Sequence, residues 1–229
     1  MSDETTPPDA PGWTAIDHAV GSLYPGQVPH QFASERPYEL DGQAPLPAIS
    51  VWSSKAPDSW HFVSYGLSEL FEKTSPEPSV SGFGIELTLR LPRGDADPHP
   101  PLWGVSLLQT LGHYVLSRRK GFDSGHTIDL GGPIDGSSDP SSVLTGIVCL
   151  PDPLLRQIST PHGSVLFLQL VGVEARELKV MDGLELERQV GLLADIDPSY
   201  MTDPRRESWL DHEERSKIVR RYKLGVGLG

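Results

Sequence analysis

Ser81-Gly82-Phe83-Gly84-Ile85-Glu86-Leu87-Thr88-Leu89-Arg90-Leu91 decides the fold, read together with Trp60-His61-Phe62-Val63-Ser64-Tyr65-Gly66-Leu67-Ser68-Glu69-Leu70-Phe71 before it. Phe83, Ile85, Leu87, Leu89 and Leu91 alternate with Gly84, Glu86, Thr88 and Arg90. A period of two over nine residues specifies a half-buried β-strand. The earlier block reads as a second strand that runs into a turn at Gly66. The two are expected to pair like a hairpin. Pro76 and Pro78 keep their connection irregular, because proline lacks the ladder donor.

Outward from this pair, a helix is expected over Trp13–Leu23, ended by Tyr24-Pro25-Gly26. Residues 27–48 hold at most short extended pieces, and Leu46–Trp52 reads as a strand. Leu102–Arg119 carries Trp103, Leu107, Leu108, Leu111, Tyr114 and Val115 at helical spacing, with Gly121 as its expected cap. Residues 121–142 read as loop. Leu144–Leu150 and Ser164–Val173 read as strands, the second apolar on both sides and therefore central. Helices follow at Glu174–Met181 and Leu184–Asp195, and a charged helix at Asp211–Lys223. The expected fold is a single α+β domain, a mixed, mostly antiparallel central sheet flanked by helices. It spans residues 12–208, between a disordered acidic tail (1–11) and a charged C-terminal extension (209–229).

The 229 residues are 37% hydrophobic and 22% charged, which is globular, and 23 glycines with 22 prolines favour many short elements over a helical bundle. No apolar run is long enough to span a membrane. Met1–Pro11 lacks the basic and apolar regions of a signal peptide. The lone Cys149, in an apolar run, reads as a buried inert thiol. The cytoplasm is the expected compartment. The net charge of −12 is uneven: residues 205–229 carry +3, which leaves −15 on the first 204. Such a body repels phosphate backbones and anionic lipid. Nucleic acid and membrane are therefore not expected partners, and a basic protein is.

No catalytic, metal or cofactor signature is complete. Gly82-Phe83-Gly84 opens a strand instead of a helix, and Gly131-Gly132-Pro133-Ile134-Asp135-Gly136 lacks the residues of a phosphate loop. The eight histidines form no close metal-binding pair. Asp195, Asp197 and Asp203 lack the spacing of a calcium loop, and Asp197-Pro198 and Asp203-Pro204 read as turn initiators. Arg205 and Arg206, beside Asp203, read as an internal ion pair. A serine–histidine–aspartate triad can be drawn from His61, Ser64 or Ser68, and Asp123 or Asp129, but no nucleophile elbow supports it. The simpler expectation is a half-buried His61 with a backbone partner. Trp52, Trp60, Phe62, Tyr65 and Phe71 crowd within twenty residues. Aromatics at a strand-to-loop junction suit protein recognition, and an edge strand beside them could accept a partner's chain.

Residues 60–71 and 81–91 resemble two signatures of the Suppressor of fused family, Trp-His-aromatic-x-Ser-aromatic-Gly-Leu-Ser-acid-Leu and Ser-Gly-Phe-Gly-x-Glu-Leu-Thr-x-Arg-Leu. Tyr24-Pro25, Thr160-Pro161-His162-Gly163, Phe167-Leu168-Gln169-Leu170-Val171-Gly172-Val173 and Thr202-Asp203-Pro204-Arg205-Arg206 match in the same order. The resemblance implies a mixed α/β binding domain without a catalytic centre. It resembles the N-terminal lobe of a two-lobed animal protein that clamps a transcription-factor peptide as a strand. It also implies partner contact at Phe71, where the animal protein has a hydroxylated aromatic, and more loosely at Glu77, in a shorter loop; Tyr65 belongs to the same candidate set. Stand-alone bacterial members of this kind suggest an immunity protein that neutralises a toxin, a role compatible with the acidic body. The animal-like alternative is a regulatory peptide binder, and the least favoured is a hydrolase built on His61.

Overall fold

The computed structural model describes residues 9–33, 44–94, 98–139 and 142–225. In chain order these form α1 (Pro11–Leu23), β1 (His30–Ala33), β2 (Ala48–Lys55), β3 (Asp58–Tyr65), β4 (Val80–Pro92), α2 (Leu102–Arg118) and β5 (Thr127–Asp129). Then come β6 (Gly146–Pro151), β7 (Gln157–Thr160), β8 (Gly163–Val173), α3 (Ala175–Asp182), α4 (Leu186–Ile196) and α5 (Glu213–Leu224). The strands form one mixed sheet in the order β1-β2-β3-β4-β8-β6-β5, with β7 paired to β8. β3 and β4 are antiparallel, with Trp60 opposite Leu91 and Phe62 opposite Leu89. β4 and β8 run parallel at the centre, and every other pairing is antiparallel.

The alternation in β4 sorts its side chains as expected. Ile85, Leu87, Leu89 and Leu91 join Ile49, Val51 and Phe62 beneath Leu107, Leu108, Leu111 and Val115 of α2. The opposite face carries two further layers. Ile16 and Val20 of α1 and Tyr24 just after it meet Ala48, Val63, Tyr65 and Phe167. Met181, Leu192, Leu193, Val219 and Tyr222 of α3, α4 and α5 meet Val148, Leu150, Val171 and Val173. Helices on both faces overturn the half-buried reading of β4. Glu86, Thr88 and Arg90 are enclosed instead of facing water.

Other differences are local. α2 closes on Arg119 in the left-handed conformation (φ 51°), two residues before the expected Gly121 cap. β5 lies in the segment read as loop, too short for its alternation to register. β7 went unpredicted for the same reason. The opening block lies inside the sheet, so the strand-accepting edges are elsewhere. Of the tail expected over 1–11, residues 1–8 lie outside the described residues, and Pro11 opens α1. The segment after residue 208 is helical at α5, with Trp209, Val219 and Tyr222 buried. Cys149 is fully buried, and burial pushes its thiol up to about 12.

Candidate functional site

The loop after β3 is wound around two carboxylates. Glu86, buried on β4, extends one oxygen beneath the turn. Oε1 accepts the backbone N–H groups of Gly66 (2.9 Å), Leu67 (3.1 Å) and Ser68 (2.9 Å), and the Ser68 hydroxyl (2.7 Å). Oε2 accepts the Ser64 hydroxyl. Successive backbone donors make an anion cradle, filled here by the protein's own side chain. Burial still raises the Glu86 carboxyl to about 6, against the lowering effect of those hydrogen bonds. Glu69 repeats the device nearer the surface, accepting the N–H groups of Thr74 (2.6 Å) and Gly82 (3.0 Å) and the Lys73 ammonium (3.0 Å). Partial burial pushes its carboxyl up, but the donors from Ser75, Thr74, Lys73 and Gly82 prevail and bring it to about 2. Gly82 must be glycine here. Its φ of 57° is left-handed, and a Cβ would lie 2.8 Å from the Leu67 carbonyl.

Between these anchors the loop presents Phe71, 45% exposed. Its carbonyl accepts the Nε2–H of His162 (3.1 Å), which ties it to the β7–β8 turn. The preceding carbonyl, Leu70, accepts the first N–H groups of α1, from Gly12 (3.0 Å) and Trp13 (3.3 Å). Orphan donors at a helix start are thus satisfied by the loop. Gly12 is required for that approach, since a Cβ would fall 2.0 Å from the Glu69 carbonyl oxygen. Glu77 is exposed and accepts the N–H (3.1 Å) and hydroxyl (2.6 Å) of Ser79, which hold its carboxyl below the ordinary range. Tyr65 is placed differently. It is fully buried, stacks on Trp13 at 4.7 Å and donates its phenol to Asp17 (2.8 Å).

A second polar cluster lies deeper on the same sheet face. His61 Nδ1 meets the Tyr24 hydroxyl (2.8 Å) and the Arg90 guanidinium (3.2 Å), and Nε2 meets Asp152 Oδ2 (3.1 Å). A guanidinium only donates, so Nδ1 accepts and Nε2 carries the proton. Burial and the neighbouring Arg90 lower the His61 pKa. Burial opposes the Asp152 charge, but the His61 hydrogen bond and Arg90 hold its carboxyl below the usual carboxylate range. Asp152 also accepts the Thr88 hydroxyl (2.8 Å) and the N–H groups of Leu154 (2.8 Å) and Leu155 (3.0 Å).

These contacts correct the sequence reading of His61, which is fully buried and held by side chains instead of a backbone group. Its acid is Asp152, 91 residues away in sequence, and not Asp123 or Asp129. Asp129 accepts the Gly131 N–H in an exposed turn, and Asp123 lies beside His126. Ser64 and Ser68 donate to Glu86 and not to His61. The drawn triad is therefore not assembled. Asp197 and Asp203 accept N–H groups two residues on, as turn initiators do. Arg206 pairs with buried Glu177 and not with Asp203, and it covers the Trp209 ring. No group of three metal-ligating side chains occurs among the described residues.

The family model for Suppressor of fused protein (SUFU) matches residues 42–207. The chain belongs to the Suppressor of fused family. It is 35% identical over 213 residues to the Suppressor of fused homologs of Homo sapiens and Mus musculus, covering 85% of this chain and 43% of each of theirs. It therefore spans less than half the length of these curated relatives. Its structure is similar to one described as the Sufu-Fu complex, with a TM-score of 0.82 and 28% identity over 96% of this chain and 99% of that one. The Drosophila Suppressor of Fused matches with a TM-score of 0.83 and 28% identity, over 99% of this chain and 57% of that one. A homolog from Neisseria gonorrhoeae, 15% identical with a TM-score of 0.57 over 86% of this chain and 96% of that one, shares the fold.

The sequence signatures are thus largely scaffold. Glu86 holds the Gly66-Leu67-Ser68 turn, Ser81 Oγ accepts the Glu69 N–H (2.9 Å), and the result is a presented Phe71. Sequence reasoning missed His162 as a partner of Phe71 and Asp152 as the acid of His61. Thr160-Pro161-His162-Gly163 stood out as a motif, but nothing local aims it across 91 residues.

Proposed function

We propose that this domain captures a protein or peptide partner at the surface built from Phe71, Glu77 and His162. The observation that carries the reading is the contrast between Phe71's exposure and the density of bonds fixing its loop. An exposed large aromatic on a rigid support is the feature of a recognition hot spot. The similarity to a domain of nearly identical extent, described in complex with Fu, supports binding as the activity. The charge of −15 on residues 1–204 favours a basic partner.

Two partner classes fit, a regulatory protein of the kind the animal relatives bind and a basic toxin domain neutralised by this one. The family comparisons favour the first. The acidic body is the single feature behind the second. Expression of a neighbouring toxin-like gene with and without this chain separates them: rescue of growth identifies a toxin, and no rescue by this chain sinks that class. Quantitative capture by Phe71→Ala tests both. Capture is expected to fall by about thirtyfold with thermal stability unchanged, and unaltered capture contradicts the site.

A further inference from the structure

Among the described residues, β7 is bonded on one side only. In an antiparallel pair, alternate residues exchange the ladder bonds. The Phe167 N–H donates to the Arg156 carbonyl (2.7 Å), and the register continues through Gln157 opposite Leu166, Ile158 opposite Val165 and Thr160 opposite Gly163. The bonded positions are therefore 156, 158 and 160, and Gln157 and Ser159 turn their N–H and C=O groups outward. None of these four groups has a partner among the described residues.

Sheet edges are usually guarded by lysine, proline, a bulge or a covering element. Gln157-Ile158-Ser159-Thr160 has neither lysine nor proline. Beside it runs a groove of about 540 Å³, with Asp9, Pro11, Ala15 and His18 on one wall and Ile158 and Ser159 on the other. Asp9 is the carboxylate of its lining, which holds no lysine or arginine. Arg156 precedes β7 and does not line the groove.

We propose that the groove between α1 and β7 takes an extended basic segment of a protein partner, added to β7 as one more strand. The proposal rests on the reading that this domain captures a protein, and it adds a second contact beyond Phe71. Gln157 and Ser159 supply two donors and two acceptors, enough to register a segment of four to six residues. Alternate apolar side chains of that segment lie against Pro11, Ala15 and Ile158, and its lysines or arginines face Asp9. The chain's own Met1–Pro8 is a poor match, because it carries Asp3 and Glu4 without a cation and Pro7 and Pro8 lack the N–H that pairing needs.

The test uses the full chain and an alternating lysine–valine hexapeptide, read by fluorescence anisotropy and by amide exchange at Gln157 and Ser159. Binding is expected to slow exchange at both amides by roughly tenfold. A backbone N-methylated hexapeptide should bind about tenfold more weakly, having lost its ladder donors, and a glutamate–valine hexapeptide should not bind. Ser159→Pro should weaken binding by a similar factor. Asp9→Lys, which leaves the ladder intact, should remove the preference for lysine over glutamate. Equal binding of the N-methylated hexapeptide overturns the proposal, as does slowing confined to other residues. So does slow exchange at both amides in the free chain that deletion of residues 1–8 releases, which would make the N-terminus the occupant. Phe71→Ala should lose capture of the native partner yet keep the hexapeptide footprint, so failure here and failure at Phe71 are distinguishable.

Discussion

The Glu86 turn and the His61–Asp152 cluster lie on the same sheet face, and both are built from polar residues that alternate with the core of β3 and β4. Their outcomes differ. Glu86 spends its acceptors on backbone N–H groups, and the turn it fixes carries Phe71 into solvent. His61, Arg90, Tyr24 and one oxygen of Asp152 are bonded to one another, the other Asp152 oxygen holds the Leu154 and Leu155 N–H groups, and the whole set is buried. A histidine, an aspartate and a hydroxyl in hydrogen-bond contact resemble catalytic parts, but this set is closed from water. Whether a polar constellation is a site depends on what it leaves exposed.

Breaking the sealed cluster should have the largest effect. Asp152→Ala strands the buried Arg90 charge and frees the Leu154 and Leu155 amides. A loss of about 3–5 kcal/mol in denaturant unfolding is expected, with the surviving folded fraction still capturing its partner. Loss of capture by protein that remains fully folded would move the site inward. Gly12→Ala should come next, at about 1–3 kcal/mol, because α1 must withdraw from the Glu69 carbonyl. Capture should fall with it, since Leu70 then loses the α1 donors that hold the Phe71 loop.

The Glu86 anchor sharpens the contrast through pH. Its folded pKa, about 6, lies above the free value of 4.5. Glu86 therefore adds stability below pH 4.5 that is lost as pH rises through 6. Glutamine does not titrate, so the destabilisation by Glu86→Gln should be largest near pH 4.5. It should shrink by about 2 kcal/mol by pH 7, measured by chemical denaturation across that range. A constant difference would place the carboxylate in contact with water. Phe71→Ala should change stability least, within about 0.5 kcal/mol, because its ring is half exposed.

Much of this was legible in the sequence. The period-two run in β4, the apolar β8 and the stripe in α2 are long enough for one periodicity to prevail. β5 and β7 are too short for that, and their pairing depends on the strands beside them. The alternation of Glu86, Thr88 and Arg90 reads as a wet face because sequence periodicity records a change of environment, not whether that environment is water. Phe71 was visible as an aromatic at a strand-to-loop junction, whereas Tyr65 had the same credentials and is stacked beneath α1. The His61–Asp152 and Phe71–His162 contacts bridge 91 residues each, and no local pattern encodes them.

The most direct test of the central claim is amide hydrogen exchange on the domain, alone and bound to its captured partner. Slowed exchange should concentrate at residues 69–79 and 157–163, around Phe71, β7 and His162, with His61 and Asp152 equally protected in both states. A footprint confined to α4 and α5, with residues 69–79 unchanged, would contradict the account.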